Sequence, residues 1–177
     1  DIQQFYSQED HYDSWLLDEK HRDVLWQKRL KKISHFKNSG SLLDVGTGIG
    51  QFLKHASSQF AVHGTEVSDN AISIAQKRYG LNIFKGQIED YPETNTFDVI
   101  TSFHVLEHVP DPSVFIQKCA SLLKDDGILI IAIPNEIHSI FRQGVRSLLI
   151  FLKIGKFKHY GKYTLPKITL DGSLFEI

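Results

Sequence analysis

The chain of 177 residues has no methionine, one cysteine, five prolines and almost no net charge. A lone Cys119 excludes an internal disulfide and makes a reducing cytoplasm the default compartment. It falls at helical spacing with Val114, Phe115 and Leu122, which predicts a small buried residue. No apolar run reaches the length that spans a bilayer, and no secretory leader is visible at the N-terminus. The balance of 20 Lys and Arg against 21 Asp and Glu argues against a nucleic-acid-binding module. A domain of this size ordinarily carries several methionines, so methionine positions are expected to be missing from the written sequence. Some local spacings would then be short by a residue.

What the chain does have is concentrated between residues 40 and 135. Leu42-Leu43-Asp44-Val45-Gly46-Thr47-Gly48-Ile49-Gly50 runs an apolar stretch into three alternate glycines. Phe52, Leu53 and Ala56 follow at helical spacing. This predicts a buried strand, a tight turn and a helix start. Without Cβ atoms the turn can take positive φ and approach a ligand closely, and the helix start offers unpaired N–H groups. The pattern is not the G-x-G-x-x-G of dinucleotide sites, which weighs against a nicotinamide-dependent oxidoreductase. A second strand, Ala61 to Val67, ends in Glu66, about 20 residues on, where a ribose-binding carboxylate would sit. Asp69 is the predicted N-cap of the next helix, with Ala71, Ile74, Ala75 and Arg78 on one face. Parallel strands are predicted over 41–45, 60–67, 82–86, 97–103 and 127–133, with right-handed helical crossovers between them.

These segments resemble the class I S-adenosylmethionine-dependent methyltransferases. LLDVGTGIGQFL looks like their glycine-rich motif and VHGTEVSDNAISIAQKR like their second strand with its acidic end. FDVITSFHVLEHVPDPSVFIQKCASLLKDDGILIIAIPN looks like their fourth strand, following helix and fifth strand. The Glu-His pair after the fourth strand is similar to that of small-molecule enzymes such as the ubiquinone-pathway O-methyltransferases. The resemblance implies an α/β fold: a Rossmann-like, doubly wound, mostly parallel sheet flanked by helices. It implies S-adenosyl-L-methionine as cofactor, S-adenosyl-L-homocysteine as product, and a small-molecule acceptor, with a hydroxyl oxygen expected to receive the methyl group. Residues 1–39 are an N-terminal helical segment, with Tyr6, Tyr12, Trp15 and Leu16 and then Val24, Leu25, Arg29, Leu30 and Ile33 at helical spacing, either packed on the sheet, which is preferred, or serving as a lid. Residues 40–135 are the cofactor-binding core, and 136–177 complete the same domain.

The resemblance also assigns residues. Asp44 would contact the amino end of the cofactor or fix the glycine loop, and Gly46, Thr47, Gly48 and Gly50 would lie along the cofactor. Glu66 would accept from the ribose hydroxyls or simply stabilise a helix start. Val67 would pack on the adenine. Gln87 stands where relatives often have an acid facing the adenine amino group, and Ile88 would offer apolar contact. Ser102 and Phe103 would lie under the methionine part. His104 and His108 are the candidate proton acceptors at the cleft rim, imidazole being the usual side chain for such a role. His138 and His159 are weaker ones. His104 replaces the first acid of a Glu-x-x-Glu-His motif that some relatives use for a divalent metal. His104, Glu107 and His108 therefore either hold a metal or structure the turn, and the second reading is preferred.

Residues 136–163 interleave Arg142, Arg146, Lys153, Lys156, Lys158 and Lys162 with apolar side chains, and no acid occurs between Glu136 and Asp171. This reads as a packed amphipathic insertion or as a surface for an anionic or lipid acceptor, with peripheral membrane contact through 141–162. A homodimer is compatible with either. GSLFEI resembles the start of a sixth strand, and the usual seventh, antiparallel strand is missing. The alternative class is a non-catalytic partner or scaffold subunit. It predicts a degraded glycine loop or a lost ribose acid, whereas both are intact. For the missing methionines, intact-protein mass spectrometry is the check: a mass of 20.2 kDa sinks the idea.

Overall fold

Five strands form one sheet: β1 (Ser41–Val45), β2 (Ala61–Glu66), β3 (Phe84–Lys85), β4 (Phe97–Phe103) and β5 (Leu123–Ala132). Their order is β3-β2-β1-β4-β5 and every pairing is parallel. The computed structural model describes residues 19–92 and 96–134. The body built from these strands ends at Ile133, and of the unit that follows, Pro134–Ile177, only Pro134 is described. The aromatic positions before residue 19, the basic insertion, His138, His159 and the expected late strands lie outside the described residues.

β1 is paired on both edges, helices pack on both its faces, and Leu42 to Val45 are all buried. Side chains alternate along a strand with period two, and that splits the core. Leu42 and Val99 face helices α1 (Glu19–Ile33), α2 (Gln51–Ala56) and α3 (Asp69–Tyr79), packing with Leu30, Phe52, Leu53 and Ala75. Leu43, Val45 and Ile100 face α4 (Pro112–Ser121), packing with Phe115 and Cys119. This is the doubly wound arrangement predicted.

The glycine turn carries the chain from β1 into α2. Gly46, Gly48 and Gly50 have φ of 68°, 58° and 76°. A Cβ on Gly46 would come within 2.5 Å of Val105 Cγ2, and one on Gly50 within 2.6 Å of Leu81 Cδ1. Space and φ both demand glycine there.

Four local expectations are corrected. In α1 the buried positions are Trp26, Leu30 and Ile33, while Val24 and Leu25 are 52% and 45% exposed. Trp26 takes the inner face because it stacks against Phe52 and Phe103, at 5.7 and 5.6 Å between centroids. The N-cap of α3 is Ser68, whose hydroxyl accepts from Ala71 N–H, and Asp69 instead pairs with Lys85. Val114 is 47% exposed, because the Phe115–Cys119 face of α4 is the one that meets the sheet. β5 begins at Leu123 rather than 127. Phe97 pairs with Leu123 and Val99 with Ile128, so the extra residues between bulge out of register.

Asp98 joins the starts of β1, β4 and β5. Its Oδ2 accepts from Lys124 Nζ at 2.8 Å, and from Ser41 N–H and Oγ–H at 2.8 and 3.0 Å. The Lys124 and Ser41 bonds hold the Asp98 carboxyl down to about 2. A folded value below the unfolded one stabilises above about pH 4, and that stability is lost as pH falls from there toward 2. Asp98→Ala should therefore cost about 1–3 kcal/mol at pH 7. The gap to wild type should shrink at pH 3, as urea unfolding at the two pH values would show.

Candidate functional site

A cavity of about 470 Å³ opens at the carboxyl ends of β1, β2 and β4, where ligands bind in open α/β sheets. Its walls are the β1 end and glycine turn, the β2 end at Thr65 to Val67, and the segment Gly86 to Glu89. Phe103 to Val105, His108 to Pro110 and Phe115 close the far side, and Arg22 and Trp26 of α1 face in from above. Of the residues singled out from sequence, Asp44, Gly46, Thr47, Gly48, Glu66, Val67, Gln87, Ile88, Phe103, His104 and His108 line it. Gly50 does not; it caps α2. Ser102 does not either. It is fully buried, and strand alternation turns it to the sheet face opposite Phe103.

Glu66 ends β2 with its carboxylate over the glycine turn. Oε2 accepts from Gly48 N–H at 2.8 Å, and Oε1 from Val67 and Ser68 N–H at 2.8 and 3.0 Å. A carboxylate has about four acceptor positions, so one remains, on Oε2. Thr65 supports the same turn: Gly46 N–H donates to its Oγ1 and Thr47 N–H to its carbonyl.

Asp44 is 2% exposed and accepts from Thr101 Oγ1–H at 2.7 Å. Burial raises its carboxyl to about 7, against the pull of the Thr101 hydroxyl and the Arg29 guanidinium. The neighbouring Thr47 hydroxyl favours the charged form electrostatically but makes no hydrogen bond of good geometry. Thr47 Oγ1 is thus a buried polar atom without a partner on the cavity wall. Such an atom is costly to leave so, and it suits a site that takes a polar ligand.

Arg29 packs beside the Trp26–Phe103 pair, its guanidinium carbon 4.9 Å from the Trp26 centroid and 4.4 Å from Phe103. Burial pulls its pKa down, opposed by Asp44. Its Nη2 lies 3.2 Å from His104 Nε2. Guanidinium only donates, so Nε2 is the acceptor and the other ring nitrogen, Nδ1, carries the proton. Nδ1 stands 3.6 Å from Glu107 Oε1. His104 has φ of 61°, a left-handed backbone unusual outside glycine, and its N–H is held by the Ala132 carbonyl at 2.8 Å. Among the described residues no group of three His, Cys, Asp or Glu side chains converges to hold a metal.

A family model described as a methyltransferase domain matches residues 19–163. The chain belongs to this methyltransferase family. It is 39% identical over 108 residues to a ubiquinone biosynthesis O-methyltransferase of Actinobacillus pleuropneumoniae serotype 5b (strain L20), covering 54% of this chain and 46% of that protein. It is 30% identical over 137 residues to the protein of that name from Shewanella sp. (strain ANA-3), covering 71% and 57%. The chain thus spans about half the length of the curated relatives it matches. A crystal structure of a SAM-dependent methyltransferase from Archaeoglobus fulgidus superposes with a TM-score of 0.59 at 25% identity, over 77% of this chain and 65% of that one.

Sequence reading of this methyltransferase-family chain missed Arg22 and Trp26. From Glu19, positions 22, 23, 26, 30 and 33 share one helical face, but Val24 and Leu25 make the other face as apolar, so spacing alone did not single it out. For Asp44 the folded value lies above the unfolded one, so its contribution to stability is lost as pH rises through about 7. Asp44→Asn should narrow the stability difference between pH 5 and pH 8, measured by urea unfolding at each pH.

Proposed function

We propose that the protein is an S-adenosylmethionine-dependent methyltransferase acting on a hydroxyl oxygen of a small molecule. The observation that carries this reading is the glycine turn held under the Glu66 carboxylate at the mouth of the cavity, with the unpartnered Thr47 hydroxyl beside it. The residues suit the cofactor. Asp44 would take its amino end with Thr47 beside it, and the open acceptor position on Glu66 suits a ribose hydroxyl. Val67 and Ile88 offer apolar contact for the adenine, and Gln87 its amide oxygen. Bound there, the cofactor supplies a methyl group already activated on a sulfonium. What the chain must add is alignment and a home for the acceptor's proton. A non-catalytic scaffold is not favoured, because the turn and its acid are intact.

His104 and His108 both line the cavity, but they are not equivalent. The lone pair of His104 is engaged by Arg29, and a second proton there would set two cations side by side. Both remain candidate proton acceptors in this reading, and the Arg29 contact is what sets His104 apart.

The acceptor would be anionic or lipid, and the protein would touch a membrane peripherally. The segment 141–162 read for that role lies outside the described residues, but α1 supports the idea. Its acids, Glu19 and Asp23, turn inward to Arg78, Tyr79 and His55. Its outer face keeps Lys20, Lys28, Lys31 and Lys32, exposed beside Val24 and Leu25. A basic face with apolar side chains suits an anionic lipid surface. Among the described residues no helix is long and apolar enough to cross a membrane.

Calorimetric titration with S-adenosylhomocysteine, with NAD⁺ as control, tests the reading. Wild type should bind the first in the micromolar range and not the second. Glu66→Ala, checked for folding by circular dichroism, should bind at least about tenfold more weakly. A folded wild type that binds neither overturns the proposal. Once an acceptor is found, His104→Ala and His108→Ala are compared, and loss of the imidazole that takes the proton should lower kcat by about 10² or more.

A further inference from the structure

Gln51, the first residue of α2, follows the last glycine of the turn, yet it is 2% exposed and bonds outward to α1 rather than to its own helix. Its Oε1 accepts from Arg22 Nε and from Trp26 Nε1, both at 3.2 Å. Its Nε2 donates to the Glu19 carbonyl at 3.0 Å and to Asp23 Oδ1 at 3.1 Å. A primary amide has two N–H donors and two acceptor lone pairs, and here all four positions are taken by one helix. Residues 19, 22, 23 and 26 follow the i, i+3, i+4, i+7 spacing of a single face. Asp23 Oδ1 also receives His55 Nε2 at 2.7 Å, so α2 grips α1 a second time one turn on.

We infer that Gln51 is a positioning residue that couples the glycine turn to the α1 wall of the cavity. Arg22 and Trp26 are cavity-lining side chains, and each is held at its polar end by this amide. Their placement is therefore referenced to the turn itself, through one residue of separation from Gly50. Small errors in such supporting contacts loosen a binding site that is otherwise complete. Methionine at 51 would match the length but remove the acceptor shared by the indole N–H and Arg22 Nε–H, and one of the two donors to Asp23 Oδ1. Glutamate would keep the acceptor, lose both donors and set a second carboxylate beside Asp23. The charged groups facing the position are Glu19, Arg22 and Asp23 from α1, and Lys54 and His55 from its own helix.

The inference rests on the cofactor reading above, and two readouts on the full chain keep the two apart. The first needs no ligand: hydrogen–deuterium exchange of the α1 amides in wild type and Gln51→Met. We expect at least tenfold faster exchange over residues 19–26, with β1 and β4 amides as in wild type. The second is S-adenosylhomocysteine affinity, expected to fall at least tenfold in Gln51→Met. Unchanged α1 exchange, or an affinity within twofold of wild type, overturns the inference. A wild type that does not bind overturns the cofactor reading instead, and α1 exchange still decides the role of Gln51. Should Gln51→Met not fold, Gln51→Glu decides. Its affinity relative to wild type should be at least tenfold down at pH 8 and recover toward pH 5.5, where the new carboxyl regains a proton to donate. A ratio that stays constant across that range marks general destabilisation and sinks the idea.

Discussion

One carboxylate holds the working end of the sheet together. Glu66 reaches from the last residue of β2 to the N–H of Gly48 in the turn after β1, and its second oxygen gathers the N–H groups of Val67 and Ser68. Backbone groups at such a turn cannot join a sheet ladder, and buried without partners they would be costly. The acid satisfies three of them at once. The turn takes positive φ at all three glycines, and a Cβ on Gly46 or Gly50 would meet Val105 or Leu81. The cavity mouth is what remains above.

The rest of the site is organised by charge kept out of water. Asp44 lies deep on the same sheet face as Leu42 and across from Thr101, so it points toward α1 rather than toward solvent. The Thr101 hydroxyl offsets part of that burial, and Arg29, packed beside the Trp26 and Phe103 rings, adds to that offset. Aromatic faces suit a guanidinium because it is planar and weakly hydrated. The same cation pins His104, whose left-handed backbone already turns the chain sharply after β4. Helix α1 is thus held from two directions, by the Gln51 amide at its start and by the aromatic stack further along.

Membership of a methyltransferase family and the placement of the turn agree with what the sequence motifs implied. Strand ends differ for a physical reason. Hydrophobicity marks where a strand is buried, not where its ladder starts, so the bulged register at Lys124 to Gly127 was invisible while the apolar run from Ile128 was plain. The cap of α3 was misplaced by one residue because Ser68 and Asp69 are both good capping residues, and only the Lys85 partner drew Asp69 away.

By itself the sequence determined the order of strands and helices, the glycine turn, and the acids Asp44 and Glu66 near it. Those features are local: period, residue type and spacing along one segment decide them. Tertiary structure alone decided which face of α1 turns inward, because Val24 and Leu25 are as apolar as many core residues. The Gln51 amide and the Trp26, Phe52 and Phe103 stack chose the other face. It also decided that the His104 lone pair is engaged. Both depend on partners 25 to 77 residues distant in the chain, and no local pattern encodes such a pairing.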